Sequence, residues 1–120
     1  PLFGYLELGK KLYESPFEYS KAYNFGPHIS DTFSVHNMVE KSIEYWGGGN
    51  YSIGQNSNNP HEAGLLKLDI NRALSELNWK PLFNAEIAIK RTISWYKGYY
   101  DGVSAKELVQ NDIEFYLSLL

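Results

Sequence analysis

Cysteine is absent from the 120 residues. That removes disulfides, thiolate metal sites and a cysteine nucleophile together, and it fits a reducing compartment such as the cytoplasm. Charge of one sign is also scarce: 14 acidic against 11 basic residues leave a net charge of −3 with no basic run, so little attracts a phosphate backbone. Nucleic acid is not an expected partner. No apolar stretch approaches the roughly 20 residues that cross a bilayer, and no charged-then-apolar leader opens the chain, so a soluble protein with no membrane partner is expected. Methionine occurs once, at Met38, and the chain opens Pro1-Leu2-Phe3. This suggests a start inside a longer protein.

Several kinds of chemistry are missing as well. Gly47-Gly48-Gly49 has no Lys-Ser or Lys-Thr after it, and its spacing to Gly54 does not fit a dinucleotide fingerprint, so the run reads as a helix C-cap and turn. A Tyr-x-x-x-Lys pair would set a phenol and an ammonium on one helix face, where the cation lowers the phenol pKa for proton transfer. None of the 10 tyrosines has Lys four residues on. His28, His36 and His61 lie far apart without metal-ligand spacing. No catalytic residue, cofactor site or metal site is therefore assigned within this chain.

What is present suits one domain, or part of one. The hydrophobic fraction is 43%, and 10 Tyr, 6 Phe and 3 Trp supply side chains with an apolar body, many with a polar tip, that favour half-buried faces and clefts. About five helices are expected. Leu2, Tyr5, Leu6, Gly9, Leu12 and Tyr13 recur at i, i+3, i+4 and predict a helix over 2–14 that lacks a capping residue and stops at Pro16. Ser34 caps a helix bearing Val35, Met38, Val39, Ile43 and Trp46, which runs to the glycines. Asp69 is placed to cap a short helix with Ala73, Leu74 and Leu77. Asn84 caps a long one with Ala85, Ala88, Ile89, Thr92, Ile93 and Tyr96, ending near 98–102. Ser104 and Glu107 form a capping box for the last, with Val109, Ile113, Tyr116, Leu117 and Leu120 on one side. Short strands are expected at 22–25, 51–53 and 65–68, too few to close a sheet.

One stretch is more specific than any periodicity. Asn59-Pro60-His61-Glu62-Ala63-Gly64-Leu65-Leu66-Lys67-Leu68-Asp69 resembles the PHEAxxLKLD signature of CDP-glucose 4,6-dehydratases. Pro1 to Leu6 is similar to the PLSGYL helix start of that family, and Tyr23-Asn24-Phe25-Gly26-Pro27 to its WNFGP turn. Ala73 to Trp79 with Pro81 is similar to the LGWxP element of extended short-chain dehydrogenase/reductases, with Asn78 in place of Gly. Trp95-Tyr96-Lys97 resembles the late WYK helix. These segments follow the expected order over nearly all of the chain.

The resemblance implies an α/β architecture in two parts, an N-terminal Rossmann domain holding NAD and a C-terminal domain holding the CDP-sugar. Residues 1–120 correspond to the second, a helix-rich α/β fragment with a few short strands; the NAD domain is absent from this chain. The family oxidises the sugar at C4, eliminates water across C5 and C6, and returns the hydride to C6, giving the 4-keto-6-deoxy sugar for deoxysugar and surface-polysaccharide synthesis. The family's catalytic residues and glycine fingerprint lie upstream of the matched region, so this fragment alone is expected to be inactive. The resemblance also implies a homo-oligomer for the full-length enzyme.

His61 and Glu62 are the candidate substrate-binding residues, one able to bond ribose hydroxyls and the other to hold a neighbouring loop. An exposed loop pair, with Glu62 satisfying backbone amides, is the plain alternative. Asp69 reads as an N-cap, Asn24 as a turn contact, Tyr5 as a core or rim aromatic, and Trp46, Trp79 and Trp95 as packing residues. Two other functions fit the same residues: another nucleotide-sugar epimerase or dehydratase, and a free-standing binding module without catalysis.

Overall fold

A computed structural model of the chain describes residues 1–31, 33–54 and 68–120. Among these residues the regular structure is helical: α1 (Leu2–Glu14), α2 (Pro16–Tyr19), α3 (Val35–Trp46), α4 (Asn71–Glu76), α5 (Ala85–Tyr100) and α6 (Ala105–Leu117). The chain divides into two compact units, Pro1–Asp31 with Ala63–Pro81, and Thr32–Glu62 with Leu82–Leu120.

The first unit is built around Phe25, Ile70, Ala73, Leu77 and Trp79, with Phe3, Leu8, Tyr19, Tyr23 and Leu74 packed against them. Each fully buried Phe, Ile or Leu of such a cluster stabilises by roughly 1.5–3 kcal/mol relative to exposure. Phe25 stands edge-on between two rings, with centroids 5.1 Å from Tyr5 and 5.0 Å from Trp79. Helix α1 can come this close because residue 4 is glycine: a Cβ there would lie 2.4 Å from Phe25 Cδ1. The helix therefore buries Gly4 and turns Phe3 and Leu8 inward, while Leu2, Leu6 and Tyr13 of the expected stripe face outward. Seven of its side chains are large and apolar on both faces, so periodicity alone did not choose the buried one.

The expected strand at 22–25 is not a strand. Its alternation is real, since Tyr23 and Phe25 point to the core and Asn24 to solvent, but side chains take the place of a partner strand. The Arg72 guanidinium donates to the Ala22 carbonyl at 2.8 Å, and Asn24 Nδ2 donates to the Asp69 carbonyl at 3.1 Å. Nor is residue 51–53 a strand; of the segment 65–68, only Leu68 is described, in an irregular stretch. Pro16 ends α1 as expected yet also opens α2, because the fixed proline φ suits the first helical position. Asp69 stands one residue before the N-cap of α4, Ile70, and its carboxylate accepts from the Asn71 amide at 2.9 Å.

In the second unit, α3 packs on α5 and α5 on α6. Ser34 and Asn37 close a reciprocal capping box on α3. Asn84 accepts from the Ile87 amide to start α5, and Ser104 from the Glu107 amide to start α6. Gly47 ends α3 in the left-handed region at φ 92°, and the amides of Gly47 and Gly48 both reach back to the Ile43 carbonyl. Lys97 on α5 donates to the Trp46 carbonyl at 2.8 Å, placing a cation at the negative end of α3. Gly98 lets α6 approach, as a Cβ there would meet Leu108 Cδ2 at 2.8 Å.

Candidate functional site

His61 and Glu62 lie outside the described residues. The description stops at Gly54 before them and resumes at Leu68 after them.

On the side after the motif, Asp69 and Asn24 meet. Asn24 Nδ2 bonds the Asp69 carbonyl while the Asp69 carboxylate bonds the Asn71 amide, so both polar side chains are engaged in shaping this corner. Asp69, read as the N-cap, stands one residue before it, and Asn24, read as a turn contact, bonds across to a segment 45 residues away. Beside them, the Tyr23 hydroxyl donates to Glu76 at 2.7 Å and Lys21 donates to the same carboxylate at 3.0 Å. Burial, and then the bond to Glu76, push the Tyr23 phenol up to about 12. The bond from Tyr23, followed by that from Lys21, holds the Glu76 carboxyl below its usual range. The phenol thus stays protonated at neutral pH, and its bond to Glu76 ties the segment before Phe25 to α4.

On the side before the motif, residues 47–54 return along α3. Gly47, Gly48 and Gly49 all have positive φ, at 92°, 157° and 137°. This lets the chain reverse immediately after the helix. Tyr51 then reaches His36 in the first turn of α3, fifteen residues back in sequence, its hydroxyl 2.5 Å from Nε2 and the two rings edge-on with centroids 5.5 Å apart. Glu40 stands 3.6 Å from the same imidazole nitrogen. Between the returning chain and α3 lies an open recess of about 340 Å³ lined by Glu40, Ile43, Glu44, Gly49, Asn50 and Tyr51. Sequence reading saw only that the three histidines are far apart, and the pairing of His36 with Tyr51 escaped it. A histidine in a first turn and a tyrosine just past a glycine run was the available signal.

Tyr5, Trp79, Trp95 and Trp46 are packing or rim aromatics. Tyr5 leans on Phe25, and Trp95 stacks on Tyr99 at 5.5 Å. Trp46 is partly exposed against Tyr100. Trp79 is buried, and its Nε1 has no hydrogen-bond partner among the described residues. Among those residues no three His, Cys, Asp or Glu side chains gather as metal ligands, and no helix is long and apolar enough to cross a membrane. A pyrophosphate is held by free amides at a helix N-terminus; among the described residues Gly47–Gly49 sit instead at the carbonyl end of α3, and the N-termini of α3, α5 and α6 are each capped by a side chain.

No family model matches the chain. It is 31% identical over 118 residues to the CDP-glucose 4,6-dehydratase of Salmonella typhimurium, a match that takes in 98% of this chain and 33% of that protein. The chain thus spans about a third of the length of the curated relative it matches. The resemblance read from the motif Asn59 to Asp69 therefore extends to nearly every residue, and the chain is similar to a CDP-glucose 4,6-dehydratase.

Proposed function

We propose that this chain is the C-terminal, sugar-nucleotide-binding domain of an NAD-dependent CDP-glucose 4,6-dehydratase, acting in the cytoplasm in deoxysugar and surface-polysaccharide synthesis. The observation that carries this reading is the similarity over 98% of the chain to a dehydratase three times its length, with the PHEA and LKLD elements inside the matched span. In this reading the chain contributes contacts to the CDP-sugar, through His61 and Glu62, while a separate Rossmann domain holds NAD and the reacting groups. NAD would supply hydride removal and return at the sugar; the residues of this chain would bind and orient the nucleotide. The full-length enzyme would be a homo-oligomer.

The test is kinetic. The full-length protein carrying this segment should convert CDP-glucose to its 4-keto-6-deoxy product, and the 120-residue chain by itself should not. His61→Ala in that protein should raise KM about tenfold with a smaller fall in kcat, the pattern of lost ground-state binding. Loss of kcat at unchanged KM would put His61 in the chemistry instead. Saturable micromolar binding of NAD to the 120-residue chain would overturn the assignment of the cofactor to another domain.

A further inference from the structure

Helix α1 is apolar on two faces, and the first unit uses one of them. Gly4 is buried, and Phe3 and Leu8 pack on the core. On the outward side Leu2, Leu6, Gly9 and Tyr13 recur at i, i+4, i+7 and i+11, the spacing of a single stripe along a helix, with Leu2 77%, Leu6 72% and Tyr13 92% exposed. A surface helix needs one apolar stripe, whereas a helix apolar all round is covered from both sides. Gly9 is an independent sign of such a cover. Glycine is among the poorest helix formers, and each of the other two helical glycines lets a side chain come close, Phe25 at Gly4 and Leu108 at Gly98. Gly9 has an ordinary helical φ, and a Cβ there would meet nothing within 4 Å. Neither the backbone nor the packing of this chain calls for glycine in the middle of the stripe.

We infer that the outward face of α1 is the surface on which the cofactor-holding domain of the full-length enzyme seats, with an apolar side chain of that domain lying in the notch at Gly9. The inference rests on the function proposed above and adds a partner surface to it. Hydride transfer between NAD on one domain and a sugar held by another needs the two domains in direct contact, so this chain must carry a face for that contact. The match takes in 33% of the dehydratase, and most of that polypeptide therefore lies outside the aligned span and can supply the cover. No charge interrupts the stripe, as Glu7, Lys10, Lys11 and Glu14 fall at other positions of the helix, which suits a permanent contact better than a transient one. The apolar face of α6 fits less well. Its Val109, Ile113 and Leu117 are each less exposed than Leu2, Leu6 or Tyr13, and α6 has no glycine to admit a partner.

Hydroxyl-radical footprinting of the unmodified full-length protein, with turnover of CDP-glucose measured on the same sample, tests the docking face. Leu6 and Tyr13 should be oxidised about tenfold more slowly than in the same protein unfolded, in step with the buried Phe25. Their protection should hold across a dilution series followed by sedimentation. Protection that falls as protomers separate would assign the face to a second copy and overturn the inference. Gly9→Leu gives an independent reading. Leucine is much the better helix former, yet its side chain would collide with a domain seated on the stripe, so the thermal midpoint should fall by several degrees and Tyr13 should become reactive. An unchanged or raised midpoint in Gly9→Leu, or Tyr13 oxidised at the unfolded rate in an enzyme that turns over CDP-glucose, would overturn the docking face and leave the proposed function standing. Protected Tyr13 in a full-length protein that does not turn over CDP-glucose would overturn the proposed function, and with it the assignment of the covering domain to the cofactor.

Discussion

Single atoms decide several properties of this chain. The two glycines of α1 make the point, because they sit in one helix and should respond to alanine with opposite sign. At Gly4 a new methyl would fall 2.4 and 2.5 Å from two carbons of the buried Phe25 ring, which Tyr5 and Trp79 hold in place. Overpacking of this kind costs about 1–3 kcal/mol, more than the roughly 1 kcal/mol alanine returns in helix propensity. Gly4→Ala should therefore destabilise by about 1–2 kcal/mol in urea unfolding. At Gly9 a methyl meets nothing within 4 Å, and Gly9→Ala should stabilise by up to about 1 kcal/mol in the same assay. Tyr23 adds a pH signature. Its phenol is raised to about 12, mostly by burial and next by its bond to Glu76, so the protonated form is the one the fold favours. Its contribution is complete below the ordinary phenol pKa of about 10 and disappears as pH climbs through about 12. Glu76, held below the usual carboxyl range, behaves in the reverse sense: its contribution is present above that range and is lost as pH falls. Tyr23→Phe should lower stability by about 1 kcal/mol at neutral pH, flatten the alkaline limb of a stability profile and weaken the acid limb, because the Tyr23 bond is the larger cause of the lowered Glu76 carboxyl pKa and only the Lys21 bond remains.

At the scale of elements, the helix starts were legible and the strands were not. Ser34, Asn84 and Ser104 cap as the sequence suggests because an N-cap is a local bond, from a side-chain oxygen to an amide three residues on. Asn84→Ala should accordingly cost about 1 kcal/mol, seen as an earlier unfolding midpoint and faster amide exchange in the first turn of α5. Asp69 shows the resolution of such reasoning: the residue makes the expected kind of bond, one position early. The segment at 22–25 misled because alternation marks which side chains are inward and carries no information on what satisfies the backbone. A ladder needs a second strand; here Arg72 does part of that work through its guanidinium. Asn78, where the similar LGWxP element has glycine, adopts φ 52°, the left-handed conformation that the family's glycine would enter without strain.

The molecule as a whole exposes much apolar surface. In the first unit Leu2 is 77% exposed, Leu6 72%, Tyr13 92% and Phe17 fully so, and in the second Val109, Ile113 and Leu117 of α6 are exposed, as is Leu120 beyond its end. Apolar faces of this kind drive association. The 120-residue chain should sediment as a concentration-dependent mixture and bind a dye that reports exposed apolar surface; a strictly monomeric, dye-silent species at high concentration would favour a self-sufficient module over part of a larger enzyme. What the sequence by itself determined were the properties set by neighbours along the chain: helix starts and stops, the glycine C-cap after Trp46, the absence of a phosphate loop, and the motif of Asn59 to Asp69. Which face of α1 is buried, what bonds the carbonyl of Ala22, and that Tyr51 reaches His36 were decided only by the tertiary structure. Each of these depends on the space between residues many positions apart, and that space exists only once the chain has folded.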